Sequence, residues 1–189
     1  MTSTRTIAES AARPSAALRA VRIGLAVLIV AASAQVVVPL PFTPVPFTLQ
    51  PLAVLAVGGL LGAADGAAAL VLYLALGLIG LPVFAGGGSG IVRLVGPTGG
   101  YLLAFPVAAA VTGALARTGR APLWRILAAC VAGMVIIHAG GVAQLALLGG
   151  DPAQAFRYGF IPFLTGDLLK VGLAALVILV AAPRLHPPA

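Results

Sequence analysis

The sequence predicts an all-α fold, a bundle of six transmembrane helices with both termini in the cytoplasm. Of its 189 residues, 61% are hydrophobic and only 8% are charged, whereas about a quarter of an ordinary soluble domain is charged. The apolar residues form long continuous runs rich in Ala and Leu, unlike the alternating strands of a membrane barrel. Because a helix needs about 20 apolar residues to cross the hydrocarbon core, the chain has room for about six spans.

A polar N-terminal tail, residues 1–17, precedes the predicted membrane domain of residues 18–183. Prolines in PLPFTPVPF forbid helix after the first apolar run, and a Gly-rich stretch, LPVFAGGGSGIVRLVGPTGG, separates the third run from the fourth. The predicted spans are about 18–38, 48–64, 66–81, 98–116, 124–148 and 160–182. The predicted outer loops are about 39–47, 82–97 and 149–159.

The basic residues set the orientation of the predicted bundle, because cytoplasmic loops carry an excess of Lys and Arg. A cytoplasmic N-terminus leaves only Arg93 and Arg157 outside, with Lys170 within the membrane. The arginines it places inside are Arg5, Arg13, Arg19, Arg22, Arg117, Arg120, Arg125 and Arg184. Topology therefore explains the basic residues, and their scatter between apolar runs argues against a nucleic-acid partner.

A carboxylate and an ammonium interrupt the last apolar run, at Asp167 and Lys170 in GDLLK. A spacing of three residues puts both on one helix face, roughly 10 Å below the outer boundary at a rise of 1.5 Å per residue. Each charge costs about 2.5–3.5 kcal/mol near the centre of a membrane helix and by default indicates a functional site. The two side chains either bind one ligand together or form a self-neutralising ion pair that fixes helix packing. We predict a ligand site.

Four further residues near the same end of the bundle are candidate ligand contacts. Gln50 offers donors and an acceptor, or it caps a helix and braces the loop. Tyr101, in GPTGGY, either stacks on a flat ligand or lies at the membrane interface. Gly86 and Gly87 allow positive φ and a close approach of the backbone to a ligand, although their pattern is not a phosphate-binding loop.

Neither catalysis nor a metal or cofactor site is predicted. The sequence has no Ser/His/Asp set and no paired carboxylates, and its single cysteine, Cys130, lies in an apolar run. His138 has no second histidine or carboxylate at ligand spacing, so we interpret it as an interior histidine with its hydrogen bonds satisfied. Arg93 either draws in an anion or is solvated, and we expect the latter.

Small residues recur at a spacing of four on the first helix, at Ala16, Ala20 and Gly24. Such a strip lets another helix approach closely. We name these three residues as the candidate partner interface, with packing inside the bundle as the alternative.

Four segments, PFTPVPFTLQ, GLPVFAGGGSG, GPTGGYL and GDLLK, resemble in order and spacing the BioY family, the biotin-binding membrane subunits (S components) of energy-coupling factor (ECF) transporters. The resemblance runs from about Pro39 to Lys170. It implies a six-helix bundle in the lipid bilayer of the bacterial inner membrane that captures biotin from outside. It also implies association with a transmembrane coupling protein and ATPase subunits that supply energy, and no enzymatic activity.

On this resemblance, Asp167 and Lys170 would bind polar atoms of biotin, and Gln50, Gly86, Gly87 and Tyr101 occupy motif positions as further contacts. Which end of biotin meets Lys170 stays open. Three alternative functions also stay open: an S component for another vitamin, a self-sufficient permease, and a small membrane enzyme that uses Asp167 as a base.

Overall fold

The computed structural model describes residues 15–116 and 121–185, which are mostly helical. The chain begins with α1 (Ala16–Ser33) and a two-stranded ribbon of β1 (Val37–Val38) and β2 (Phe47–Thr48). The elements that follow are α2 (Gln50–Leu61), α3 (Ala63–Leu78), a 3₁₀ turn (Ala85–Gly87), α4 (Ile91–Val95), α5 (Gly99–Ala116), α6 (Leu123–Gly149), α7 (Pro152–Gly159), a second 3₁₀ turn (Ile161–Phe163) and α8 (Leu164–Leu185).

Length and composition make this a membrane protein. Within the described residues, four helical segments are long and apolar enough to cross a membrane: α1, α5, α6 and the stretch Pro152–Leu185 that ends with α8. α2 and α3 are apolar but shorter, with 12 and 16 residues. Gly62 separates these two helices with a φ of 83°, a left-handed conformation that glycine adopts without strain.

The Pro-rich segment, expected to be extended, adds a short pair of strands to the all-α fold. α1 ends at Ser33 instead of residue 38, and β1 pairs antiparallel with β2, Val37 opposite Thr48 and Val38 opposite Phe47. Val, Phe and Thr favour strands, and the prolines between them cannot continue a helix. The ribbon leads directly into α2 and so fixes the position of that helix's first residues.

Two of the predicted outer loops contain short helices. The Gly-rich connection includes a 3₁₀ turn and α4, and α7 lies in the predicted loop 149–159. Asp151 explains where α7 begins, because its Oδ1 accepts hydrogen bonds from the backbone N–H groups of Ala153 at 2.9 Å and Gln154 at 3.1 Å. α7 and the 3₁₀ turn that follows it occupy the chain up to Phe163, so the last long helix begins at Leu164 and not at residue 160.

Close packing around α5 depends on glycine. A Cβ on Gly58 of α2 would lie 2.8 Å from the Cα of Ala109, and a Cβ on Gly100 would lie 2.7 Å from the Cβ of Gln144 on α6. Both distances are shorter than ordinary van der Waals contact, so a side chain at either glycine would force the helices apart. The glycines of GPTGGY thus hold α5 against α6, next to Tyr101.

The two ends of the bundle differ. Near the start of α1, Arg19 forms an ion pair of 2.6 Å with Asp65, and Arg22 donates a 3.2 Å hydrogen bond to the carbonyl of Leu185. The first turns of α1 and the last turn of α8 therefore lie together, whereas Asp167 lies at the opposite end of α8. The predicted tail lies outside the described residues up to position 14, as do Arg117 and Arg120.

Candidate functional site

A cavity opens at the end of the bundle formed by the ribbon, the Gly-rich loop and the first turns of α2, α5 and α8. Its empty space is about 620 Å³ when the open solvent at its mouth is included. Its polar lining residues are Thr48, Gln50, Arg93, Thr98, Tyr101, His138, Asp167 and Lys170. Three candidates from separate parts of the sequence, Gln50, Tyr101 and the Asp167/Lys170 pair, thus meet in one cavity.

Asp167 lies at the centre of a buried cluster of charged and polar groups. Its Oδ1 accepts a hydrogen bond of 2.8 Å from Lys170 Nζ, and its Oδ2 lies 2.6 Å from His138 Nε2. Both Asp167 and Lys170 are less than 10% exposed. The structure therefore contains the ion pair that a purely structural role would require, and it also places that pair on the wall of a cavity.

The pair retains unused hydrogen-bonding capacity. A carboxylate offers about four lone pairs and an ammonium three donors, and each Asp167 oxygen contacts one group while Lys170 donates one bond. The ammonium also lies 3.6 Å from the centroid of the Phe47 ring, a cation–π contact that stabilises it on the apolar side. A ligand in the cavity can therefore donate to Asp167 and accept from Lys170 while the ion pair stays formed.

His138 is held in place from two sides. Its Nδ1 lies 3.3 Å from the carbonyl oxygen of Gly159, which also accepts a 2.6 Å hydrogen bond from the Tyr101 hydroxyl. The imidazole packs edge-on against the Tyr101 ring at a centroid distance of 6.0 Å. Backbone at the end of α7 thus orients both side chains, and His138 in turn orients the carboxylate of Asp167.

Gln50 is both a cavity residue and a brace. Its Nε2 donates a 2.7 Å hydrogen bond to the Tyr73 hydroxyl, which donates a 3.0 Å bond to the carbonyl of Val83. This chain joins α2 to α3 and to the Gly-rich loop. The second N–H of the Gln50 amide has no acceptor among the described residues, so ligand contact and loop bracing, the two roles considered for this residue, are chemically compatible.

Apolar groups cover the rest of the cavity wall. The aromatic rings come from three elements and the aliphatic residues from the ribbon, α5 and α6; the larger ones are Val45, Phe84, Leu102, Phe105, Ile137 and Phe163. A mostly apolar wall with a small number of polar groups is typical of a small-molecule site.

Gly86 and Gly87 lie away from the cavity lining, to which their loop contributes Phe84 and Ala85. Both glycines are exposed and have positive φ, 64° and 73°. The backbone N–H of Gly87 donates a 2.9 Å hydrogen bond to Gln35 Oε1, which ties the loop to the end of α1. Positive φ serves the turn, and direct contact of these glycines with a ligand stays a prediction.

Two residues that line the cavity were not identified from the sequence as candidate ligand contacts. His138 was interpreted as an interior histidine with its hydrogen bonds satisfied, and it is buried with both ring nitrogens in contact; the sequence did not reveal that Asp167, 29 residues away, is one of its partners. Arg93 was expected to be solvated, yet it is only partly exposed and lines the cavity. An ionisable residue in an apolar helix indicates function by default, and applying that rule to His138 would have found it.

The strip on α1 faces outward. Ala16 and Ala20 are exposed, and a Cβ on Gly24 would meet no atom within 4 Å. Packing within the bundle, the alternative considered for this strip, therefore does not account for it. Its role as a partner interface stays a prediction.

Comparison with known proteins accounts for this combination of fold and cavity. The family model described as "BioY family" matches residues 5–187. The chain belongs to the BioY family. Members of the family that resemble it include proteins named biotin transporter BioY from Thermotoga maritima, 45% identical over 140 residues, covering 74% of this chain and 82% of that protein. The Rhodobacter capsulatus protein of the same name is 41% identical over 168 residues, covering 82% and 88%.

The fold of this chain also occurs in a solved structure. The crystal structure of the S-component for biotin from an ECF-type ABC transporter superposes on this chain with a TM-score of 0.80, covering 94% of this chain and 96% of the other. Sequence identity is 24%, so this likeness concerns the fold. The arrangement of helices described here is therefore one that is known from experiment.

We expect Gly141→Ala to destabilise the protein, because the added methyl group would enter the Tyr101 ring. The ring cannot move without disturbing its hydroxyl bond to Gly159, and overpacking of this kind costs about 1–3 kcal/mol. Thermal unfolding in detergent measures the effect. Gly172→Ala on α8 is the matched control, since a Cβ there meets no atom within 4 Å; equal unfolding temperatures for both variants would contradict the packing assigned to Tyr101.

Proposed function

We propose that this chain is the biotin-binding membrane subunit, the S component, of an ECF-type vitamin uptake transporter, which captures biotin from the outer side for import. Relatives named biotin transporters support the ligand, among them one at 45% identity. The observation that carries the proposal is the paired Asp167 and Lys170 on the cavity wall, each with hydrogen-bonding capacity to spare.

The chemistry of biotin fits this cavity. Its ureido ring has two N–H donors and one carbonyl acceptor, its thioether ring is apolar, and its valerate chain ends in a carboxylate. Asp167 accepts from a ureido N–H and Lys170 donates to an acceptor, each through a charge-assisted hydrogen bond of the stronger kind. Gln50 and Tyr101 add polar and aromatic contacts, and the apolar wall receives the thioether ring.

We further propose six crossings of the bacterial inner membrane by residues 18–183, with both termini in the cytoplasm. α2 and α3 would be the two short spans, and local thinning of the bilayer or its adaptation to protein shape accommodates such lengths at modest cost. The distribution of arginines supports this orientation. The cavity then opens to the outside, where biotin is available.

Energy for import would come from partner proteins, a transmembrane coupling protein and ATPase subunits, and this chain itself would catalyse no reaction. The exposed strip Ala16, Ala20 and Gly24 is the proposed contact with the coupling protein. Its small side chains allow close helix–helix approach within the bilayer, and Gly24 leaves open space there.

Calorimetric titration of the purified full chain in detergent tests the proposal. Biotin is expected to bind one to one at submicromolar concentration, whereas thiamine and riboflavin are not expected to bind. Tight binding of another vitamin in place of biotin would contradict the assigned ligand. Uptake of labelled biotin by proteoliposomes that contain this chain alone would contradict dependence on ATPase partners, and formation of a chemical product from biotin would contradict a transport role.

A further inference from the structure

Arg93 lies at the edge of the cavity, and its guanidinium has no partner among the residues that the structure describes. It lies on α4, is partly exposed, and lines the same cavity as Asp167 and Lys170. Within residues 15–116 and 121–185, no carboxylate or carbonyl receives an ion pair or hydrogen bond from its guanidinium. A guanidinium presents a planar fork of donors that matches the two oxygens of a carboxylate.

The loop beneath Arg93 has space for the guanidinium because residue 88 is glycine. A Cβ on Gly88 would lie 2.7 Å from both Cζ and Nη2 of Arg93. The backbone of Gly88 is ordinary extended chain, with φ −70° and ψ 157°, so a side chain at this position would be opposed by the Arg93 guanidinium and not by backbone conformation. The missing side chain lets Arg93 lie across the loop at the cavity edge.

Charge distinguishes the two parts of the cavity. The buried cluster already contains one carboxylate, Asp167, bonded to Lys170. A ligand carboxylate placed beside it would face a like charge and share a single ammonium, which is unfavourable where water is excluded. Beside Arg93 the same carboxylate would meet an unpaired cation and stay partly hydrated at the mouth.

We propose that Arg93 binds the carboxylate of biotin at the mouth of the cavity, so that the ureido ring lies deep, at Asp167 and Lys170. This inference rests on the proposed function. It fixes the orientation of the ligand and makes Arg93 a residue that selects biotin over analogues without a charged tail.

The test compares biotin with biotinamide, in which a neutral amide replaces the carboxylate. Wild-type protein is expected to bind biotin roughly 10- to 100-fold more tightly than biotinamide, the range for a charge-assisted hydrogen bond. In Arg93→Gln the preference is expected to fall to about twofold, and an unchanged thermal unfolding temperature in detergent would show that the variant is folded. The Arg93→Lys variant should retain part of the preference.

Two variants sharpen the test. Gly88→Ala, which pushes the guanidinium aside, is expected to lower the preference as well. Arg157→Gln removes an exposed arginine of α7 outside the cavity lining and is expected to keep the wild-type preference. A preference maintained in Arg93→Gln, or lost equally in Arg157→Gln, would overturn the Arg93 subsite alone. Failure of the wild-type protein to bind biotin would overturn both the proposed function and this inference.

Discussion

Asp167→Asn is expected to weaken biotin binding roughly 10- to 100-fold. The substitution leaves the Lys170 ammonium buried without its counter-charge, which lowers the stability of the fold by about 3–5 kcal/mol with or without ligand. It also removes the charged acceptor for a ureido N–H, a bond worth about 1.5–3 kcal/mol. Each 1.4 kcal/mol lost from binding corresponds to about a tenfold loss of affinity.

Titration with biotin measures this loss, and Asp65→Asn is the matched control. Asp65 also forms an ion pair with an adjacent basic residue, Arg19 at 2.6 Å, but at the opposite end of the bundle from the cavity. We expect Asp65→Asn to bind biotin within about threefold of the wild-type protein, since exposed pairs contribute about 0–1 kcal/mol. Binding by Asp167→Asn as tight as that of the control would remove Asp167 from the site.

His138→Phe is expected to lower biotin affinity roughly 10- to 100-fold. The effect would be indirect, because it does not require His138 to contact the ureido ring. Phenylalanine keeps the aromatic packing against Tyr101 but donates nothing to the carboxylate that His138 contacts at 2.6 Å. The loss of a hydrogen bond to a charged group accounts for the expected magnitude, about 1.5–3 kcal/mol. In this variant only Lys170 holds the Asp167 carboxylate, so the orientation of its second oxygen relative to the cavity is less well fixed.

His138→Gln separates orientation of Asp167 from simple packing. A glutamine amide donates an N–H over a similar reach, so this variant should recover most of the affinity lost in His138→Phe. If histidine only filled space, the phenylalanine variant would bind biotin better than the glutamine variant. That order of affinities, measured by the same titration, would contradict a positioning role for His138.

Much of the site follows from single residues in unusual places. Asp167 and Lys170 could be identified because two charges in an apolar helix are costly and share one helix face. Gln50 and Tyr101 followed from their position near the same end of the predicted bundle. In each case the signal is local in sequence, so no knowledge of packing between helices was needed to find it.

The missed features depend on contacts between distant segments. His138 meets Asp167 across 29 residues, and Phe47 reaches Lys170 only because the ribbon folds back over α8. The pairing of β1 with β2 likewise depends on where two short segments meet, and strands of two residues give no periodic pattern. Sequence periodicity locates helices, whereas the neighbours of a particular side chain emerge from tertiary packing.

The boundaries of the predicted spans also depend on contacts that the sequence pattern does not reveal. Hydrophobic runs predicted α5 and α6 within a few residues, because both are long and bounded by Gly, Pro or polar residues. The end of α1 was placed too late, since valines 36–38 continue the apolar run although Val37 and Val38 form a strand. Apolar composition alone does not distinguish a helix end from the strand that follows it.

The most direct measurement is biotin titration of the double variant Asp167→Leu/Lys170→Leu. Replacing a buried ion pair by apolar residues of similar size is often neutral or stabilising, but here it also removes the carboxylate that His138 Nε2 contacts, so we predict a folded protein with an unfolding temperature at or somewhat below that of the wild-type protein. We predict that it binds no biotin at concentrations that saturate the wild-type protein. Wild-type affinity in this variant would mean that the two charges serve only each other, and would contradict their role in holding the ligand.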